Sequence, residues 1–151
     1  MSELEGLFEK LKVAPDDDLC EIELDIFALV YDRKEENDAM SAFLTLSNWV
    51  GFSLRDGVWT FYEYTDVQTI ERTIRFLGNL SWNELKKMFE LGNHDYHNEI
   101  YSENYDYPEE WISESSIIDD WIFENEIEIY KKLREILLDN EALFVHLGGR
   151  G

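Results

Sequence analysis

From Met88 to Tyr130 the chain contains no Lys or Arg and carries thirteen acids. They are Glu90, Asp95, Glu99, Glu103, Asp106, Glu109, Glu110, Glu114, Asp119, Asp120, Glu124, Glu126 and Glu128. Self-repulsion in such a field opposes a compact fold, so a chain that folds with it is expected to have a cationic partner for it. Aromatic residues, among them Phe89, Tyr96, Tyr101, Tyr105, Tyr107, Trp111 and Trp121, are interleaved with the acids. A disordered acidic tail is poor in aromatics, so the tract is expected to be folded.

The 151 residues suffice for one domain with its own core, and neither a linker nor a repeat divides them. The expectation is a single acidic helical domain over residues 1–151. The lone cysteine, Cys20, cannot form an internal disulfide, and the N-terminus lacks the basic start and apolar run of a secretory signal. A cytoplasmic location is therefore expected. The longest apolar runs fall well short of the roughly 20 residues that cross a bilayer, and anionic headgroups would repel this surface. With 34 acids against 13 bases the formal charge is -21, which disfavours direct contact with nucleic-acid phosphates.

Helical spacing recurs along the chain. Leu4, Leu7, Phe8 and Leu11 predict a first helix that stops before Ala14-Pro15. Asp16, Asp17 and Asp18 suit the start of a second, on which Leu19, Ile22, Ile26 and Leu29 form the apolar face. No base occurs between Val13 and Asp32, so Glu21, Glu23 and Asp25 belong to a second, smaller acid-only face. Residues 35–50 predict a third helix ending at Gly51. Thr65 or Asp66 caps a helix that buries Val67, Ile70, Ile74 and Leu77 and ends on a left-handed Gly78. Ser81 and Glu84 form a capping box for the next, which ends at Gly92. These two helices pair as a hairpin. Residues 129–147 predict a long final helix with a bend near Asp139-Asn140. Strand signals are nearly absent, so the expected fold is all-α, one compact domain of about seven to nine helices.

Several chemistries find little footing. His94-x-x-His97 with Asp95 and Glu99 offers too few imidazoles for a strong metal signature, and a solvated or acid-paired pair of histidines is the expectation. Cys20, set among acids that disfavour an anionic thiolate, is expected in the core. Carboxylate pairs such as Asp119-Asp120 lack the polarising group that acid–base catalysis needs, and Gly148-Gly149 does not stand between a strand and a helix as a phosphate loop would. A non-enzymatic protein without cofactor or metal is the expectation.

The run Leu54-Arg55-Asp56-Gly57-Val58-Trp59-Thr60-Phe61-Tyr62-Glu63-Tyr64-Thr65 resembles the signature of a bacterial family of small acidic all-helical proteins typified by a DNA mimic. Thr73 to Gly78, Asn83 to Gly92, and Ile118-Asp119-Asp120-Trp121-Ile122 with the segment from Glu128 to Phe144 follow the order of that family's later helices. The chain departs from the family at Arg55-Asp56-Gly57-Val58, where asparagines and paired glycines are usual. The resemblance implies a helical fold and an acidic surface that takes the place of DNA on a DNA-binding protein, either a transcription regulator or a nucleoid protein.

Within that expectation the partner-binding residues are Asp95, Glu99, Glu103, Asp106, Glu109, Glu110, Glu114, Asp119, Asp120, Glu124 and Glu128, with Tyr101 and Tyr105 beside them. Glu99, Glu103 and Asp106 are expected to form one row, and Glu110, Glu114, Glu124 and Glu128 another. The same electrostatics suit an antidote that covers a cognate basic toxin such as a nuclease. Either role fits a monomer or a dimer. Because screening relieves repulsion among acids that lack bases, the unfolding midpoint is expected to rise as salt increases from about 0.01 to 0.15 M; a thermal melt series in NaCl that fell steadily would show attractive pairs to dominate.

Overall fold

Pro15 ends the first helix where the sequence places its stop, and the Phe8 ring on that helix becomes a centre of packing. The computed structural model describes residues 2–32, 37–104 and 106–148, and the side chains of all but the last two of these. Among them are ten α-helices, one 3₁₀ turn and no strand. They gather into two compact units, one built from residues 1–47 and 125–151, the other from residues 48–124.

The first unit holds α1 (Glu3–Val13), a 3₁₀ turn (Asp16–Asp18), α2 (Leu19–Val30), the opening turns of α3 (Asp38–Arg55), and two C-terminal helices, α9 (Glu126–Asp139) and α10 (Glu141–Gly148). Ser2 caps α1 by accepting from the Glu5 amide at 3.1 Å, with Glu3 and Glu5 in the first turn and Lys10 and Lys12 in the last, as the macrodipole favours. Asn37 caps α3 through the Met40 amide at 2.8 Å. The core packs Phe8 against Phe144 at 6.1 Å with the rings tilted by 49° and sets Phe43 edge-on to Phe144 at 5.9 Å, an aromatic arrangement worth about 1 kcal/mol per pair beyond burial.

Two expectations change here. The predicted long final helix is two helices, because Asn140 leaves helical geometry (φ -124°) and its side chain donates to the Ile136 carbonyl at 2.8 Å. The buried stripe of α2 is Leu19, Glu23, Ile26 and Val30, with Ile22 and Leu29 only half-buried. Glu23 therefore points into the core, not onto an acid-only face.

The second unit holds the rest of α3, then α4 (Val58–Tyr64), α5 (Val67–Leu77), α6 (Asn83–Leu91), the single turn α7 (Glu99–Ser102) and α8 (Glu109–Glu124). Asp66 caps α5 through the Thr69 amide at 2.8 Å, and α5 packs on α6 as the predicted hairpin. Trp49, Phe61, Tyr62 and Phe89 interlock at ring separations from 5.0 to 6.0 Å. The Tyr62 hydroxyl accepts from Trp49 Nε1 at 3.0 Å and donates to the Phe89 carbonyl at 2.6 Å, so a fully buried phenol is satisfied on both sides. Burial raises its pKa far beyond the ordinary range.

The glycines act otherwise than their positions suggest. Helix α3 runs through Gly51 to Arg55, and Gly78 closes α5 in right-handed geometry at φ -61°. Gly57 has the positive φ, 100°, needed to turn from α3 into α4. Gly92 does follow α6, at φ -86°, but its glycine is required by proximity: a Cβ there would lie 2.2 Å from the Tyr62 ring. The capping box is absent as well, since Trp82 occupies the N-cap of α6 without a side-chain bond and Glu84 accepts from Trp121 Nε1. Gly92→Ala is expected to destabilise the protein by roughly 2–3 kcal/mol through overpacking against Tyr62, whereas Gly51→Ala, with open space around it, is expected to be neutral or slightly stabilising. Urea unfolding of both variants checks the contrast.

Candidate acidic interface

Trp111, in the first turns of α8, organises the acidic tract. His94 stacks on it at 4.7 Å and 6°, while Tyr96 and Tyr101 pack against it at 5.0 Å each. Tyr107 lies 5.1 Å from Tyr96 and donates its hydroxyl to Glu63 Oε2 at 2.7 Å. His97 Nε2 meets the Thr65 carbonyl at 3.0 Å. Rings from both flanks of α7 thus hold the irregular segment against α4 and α8, and burial pushes the Tyr96 phenol above its ordinary pKa. Tyr101, half-buried, belongs to this packing; Tyr105 lies outside the described residues.

The carboxylates divide according to what lies beneath them. Asp95, Glu99, Glu103, Asp106, Glu109, Glu110, Asp120 and Glu124 are exposed. Glu114 is not free, since Oε2 lies 2.5 Å from His94 Nε2, which makes that histidine acid-paired and not solvated. Asp119 is tied into the fold: Oδ1 accepts from Ser53 Oγ at 2.6 Å and from the Val58 amide at 2.9 Å. Because Gly57 has no side chain to cap α4, Asp119 does so from 61 residues away. Glu128 sits on α9 in the other unit, 3.6 Å from Lys131 Nζ.

The two predicted rows take a different form. Helix α7 lasts one turn, with Glu103 at its C-cap, so Asp106 follows in a loop and the helical rise does not relate it to Glu99. The second row stops at Glu124, where α8 ends before Asn125, and its Glu114 is turned onto His94. What the fold presents instead is the solvent side of α8: Glu109, Glu110, Asp120 and Glu124 around Ser113 and Ser116, with roughly 16 Å of axial rise between Glu109 and Asp120.

Apolar side chains share that side. Phe123 is 73% exposed, Ile112 58% and Ile117 52%, while Ser115, Ile118, Trp121 and Ile122 form the buried stripe. Sequence reasoning passed over these three. Their offset from the buried stripe on a helical wheel of residues 109–124 is the signal that reveals them. These exposed aliphatic and aromatic groups are interspersed with the acids along the helix.

No group of three or more His, Cys, Asp or Glu side chains among the described residues could hold a metal ion, and no helix among them is long and apolar enough to cross a membrane. No family model, curated protein or solved structure matches the chain.

The adjacent acids Asp119 and Asp120 therefore have opposite roles. Asp119→Ala is expected to cost about 2–4 kcal/mol by leaving the Val58 amide and the Ser53 hydroxyl without their acceptor, and Asp120→Ala to change stability by less than about 0.5 kcal/mol. Chemical denaturation of the two variants distinguishes them; equal effects would remove the structural role of Asp119.

Proposed function

We propose that this chain is a non-enzymatic acidic interaction protein that acts as a DNA mimic, occupying the DNA site of a basic DNA-binding protein such as a transcription regulator or nucleoid protein. The observation that carries the reading is the solvent side of α8, where four exposed carboxylates stand on a packed helix in a tract without Lys or Arg. Carboxylates held by a folded scaffold need little ordering on association, and a partner's bound anions are released when the carboxylates replace them. Glu99, Glu103 and Asp106, on the segment held by Trp111, extend the same negative surface.

A second reading is an antidote that covers a basic toxin such as a nuclease. The exposure of Phe123, Ile112 and Ile117 favours it, because phosphates offer no apolar counterpart for such side chains and the core of a protein–protein interface does.

Capture from native lysate at low salt, followed by displacement with duplex DNA, tests the first reading. Changing Glu103, Asp106 and Glu110 together to Lys is expected to abolish capture through new like-charge contacts costing roughly several kcal/mol, with helical content retained. A control that changes the exposed Asp32, Glu71 and Asp139 to Lys alters net charge equally and is expected to bind. If both triple variants bind as the wild type does, or the captured protein holds DNA and this chain at once, mimicry fails. A captured toxin whose catalytic cleft is covered would instead favour the antidote reading.

A further inference from the structure

Helix α2 buries Leu19, Glu23, Ile26 and Val30 at helical spacing, three apolar side chains and one carboxyl group. Glu23 is 3% exposed, and among the described residues neither of its oxygens has a hydrogen-bond partner. A carboxylate in that setting would forfeit its hydration without compensation, whereas the neutral acid loses far less.

The charged groups nearby do not relieve it. Helix α2 packs against α1, the Asp16–Asp18 turn, α9 and α10. On α1, Lys12 is held by Glu9 at 2.8 Å and by Glu141 of α10 at 2.9 Å, while Lys10 lines a shallow groove with Glu3 and Asp25. On α9, Lys131 and Lys132 are engaged by Glu128 and Glu135, and Glu126 Oε1 accepts from the Tyr130 hydroxyl. The turn contributes three further acids, Asp16, Asp17 and Asp18. Among the described residues only Arg134 of α9 favours the charged form of Glu23, and burial outweighs it, pushing the carboxyl from 4.5 up to about 9.

We propose that Glu23 makes the packing of α2 on α9 a proton-controlled latch, closed by the neutral carboxylic acid and released when the side chain loses its proton. Opening the seam returns Glu23 to water, where it ionises readily. Across the window between 4.5 and about 9 the closed state therefore holds a proton that the open state does not. Rising pH pulls toward the open state through that whole range by up to about tenfold per pH unit, and has no further effect of this origin below or above it. The latch tightens on mild acidification and loosens on mild alkalinisation, and its opening uncovers Leu19, Ile26 and Val30 together.

Amide hydrogen exchange read by mass spectrometry at a series of pH values from 6 to 9 tests this on the full chain. The wild type is compared with Glu23→Met, which has similar volume and no charge, and with Glu23→Gln should the first fail to fold. Taking the ratio of wild-type to variant rates at each pH cancels the intrinsic base catalysis of exchange. For residues 19–30 and 126–139 that ratio is expected to climb several-fold per pH unit, up to about tenfold, while α5 and α6 keep a constant ratio. A ratio within about twofold from pH 6 to 9 in α2 and α9 would overturn the latch. So would an equal climb in α5 and α6, which would mark global unfolding instead.

Discussion

A carboxylate without a cation has three ways to persist in a folded chain: it stays in water, it accepts from neutral donors, or it keeps its proton. With 34 acids and 13 bases, this chain uses all three. The neutral donors are distributed through both units. Ser53 and the Val58 amide serve Asp119, Tyr107 serves Glu63, the Trp121 indole serves Glu84, Tyr130 serves Glu126 and the Thr69 amide serves Asp66. Such bonds to a charged acceptor are stronger than neutral ones and add no positive charge, so those at Asp119, Glu63 and Glu84 tie distant segments together while leaving the negative field intact. Glu23 illustrates the third way, buried and, among the described residues, without a donor.

The abundance of aromatic residues follows from the same constraint. Tyrosine and tryptophan combine a large apolar surface with one polar atom, and here that atom often meets a carboxylate or a carbonyl while the ring fills the core. Around Trp111 the rings of His94, Tyr96, Tyr101 and Tyr107 fix a segment with only one helical turn of its own, so the acids it carries are positioned by side-chain packing more than by backbone regularity. The two sides of α8 express the division most clearly. Asp119 and Glu114 look inward to donors, while Asp120, Glu109 and Glu124 look outward beside Phe123 and Ile112, as an acidic surface with apolar edges. The proposed partner contact and the structural polar network thus occupy one helix without sharing residues.

Helix existence was legible in the sequence. The 3.6-residue spacing of Leu4, Leu7, Phe8 and Leu11, the Asp66 cap and the apolar face of residues 83–91 depend on neighbours three and four positions apart, and α1, α5 and α6 stand where that spacing puts them. Local signals failed wherever the deciding partner was remote. Gly92 is glycine because of Tyr62, 30 positions earlier in the chain; Glu84 bonds Trp121 and does not close a capping box; Asp119 caps α4 across 61 residues.

What the sequence by itself determined is an all-helical chain with a base-free acidic tract that its aromatics oblige to fold. Tertiary structure alone decided which acids remain surface charges and which become fastenings, because that depends on donors brought together from distant segments. It also turned Glu23 inward: the alternation Glu21, Ile22, Glu23, Leu24, Asp25 leaves the angular setting of α2 open by one residue. The packing of α2 against α1 and α9 chose the setting that buries Leu19, Ile26 and Val30, and the carboxyl between them came with it.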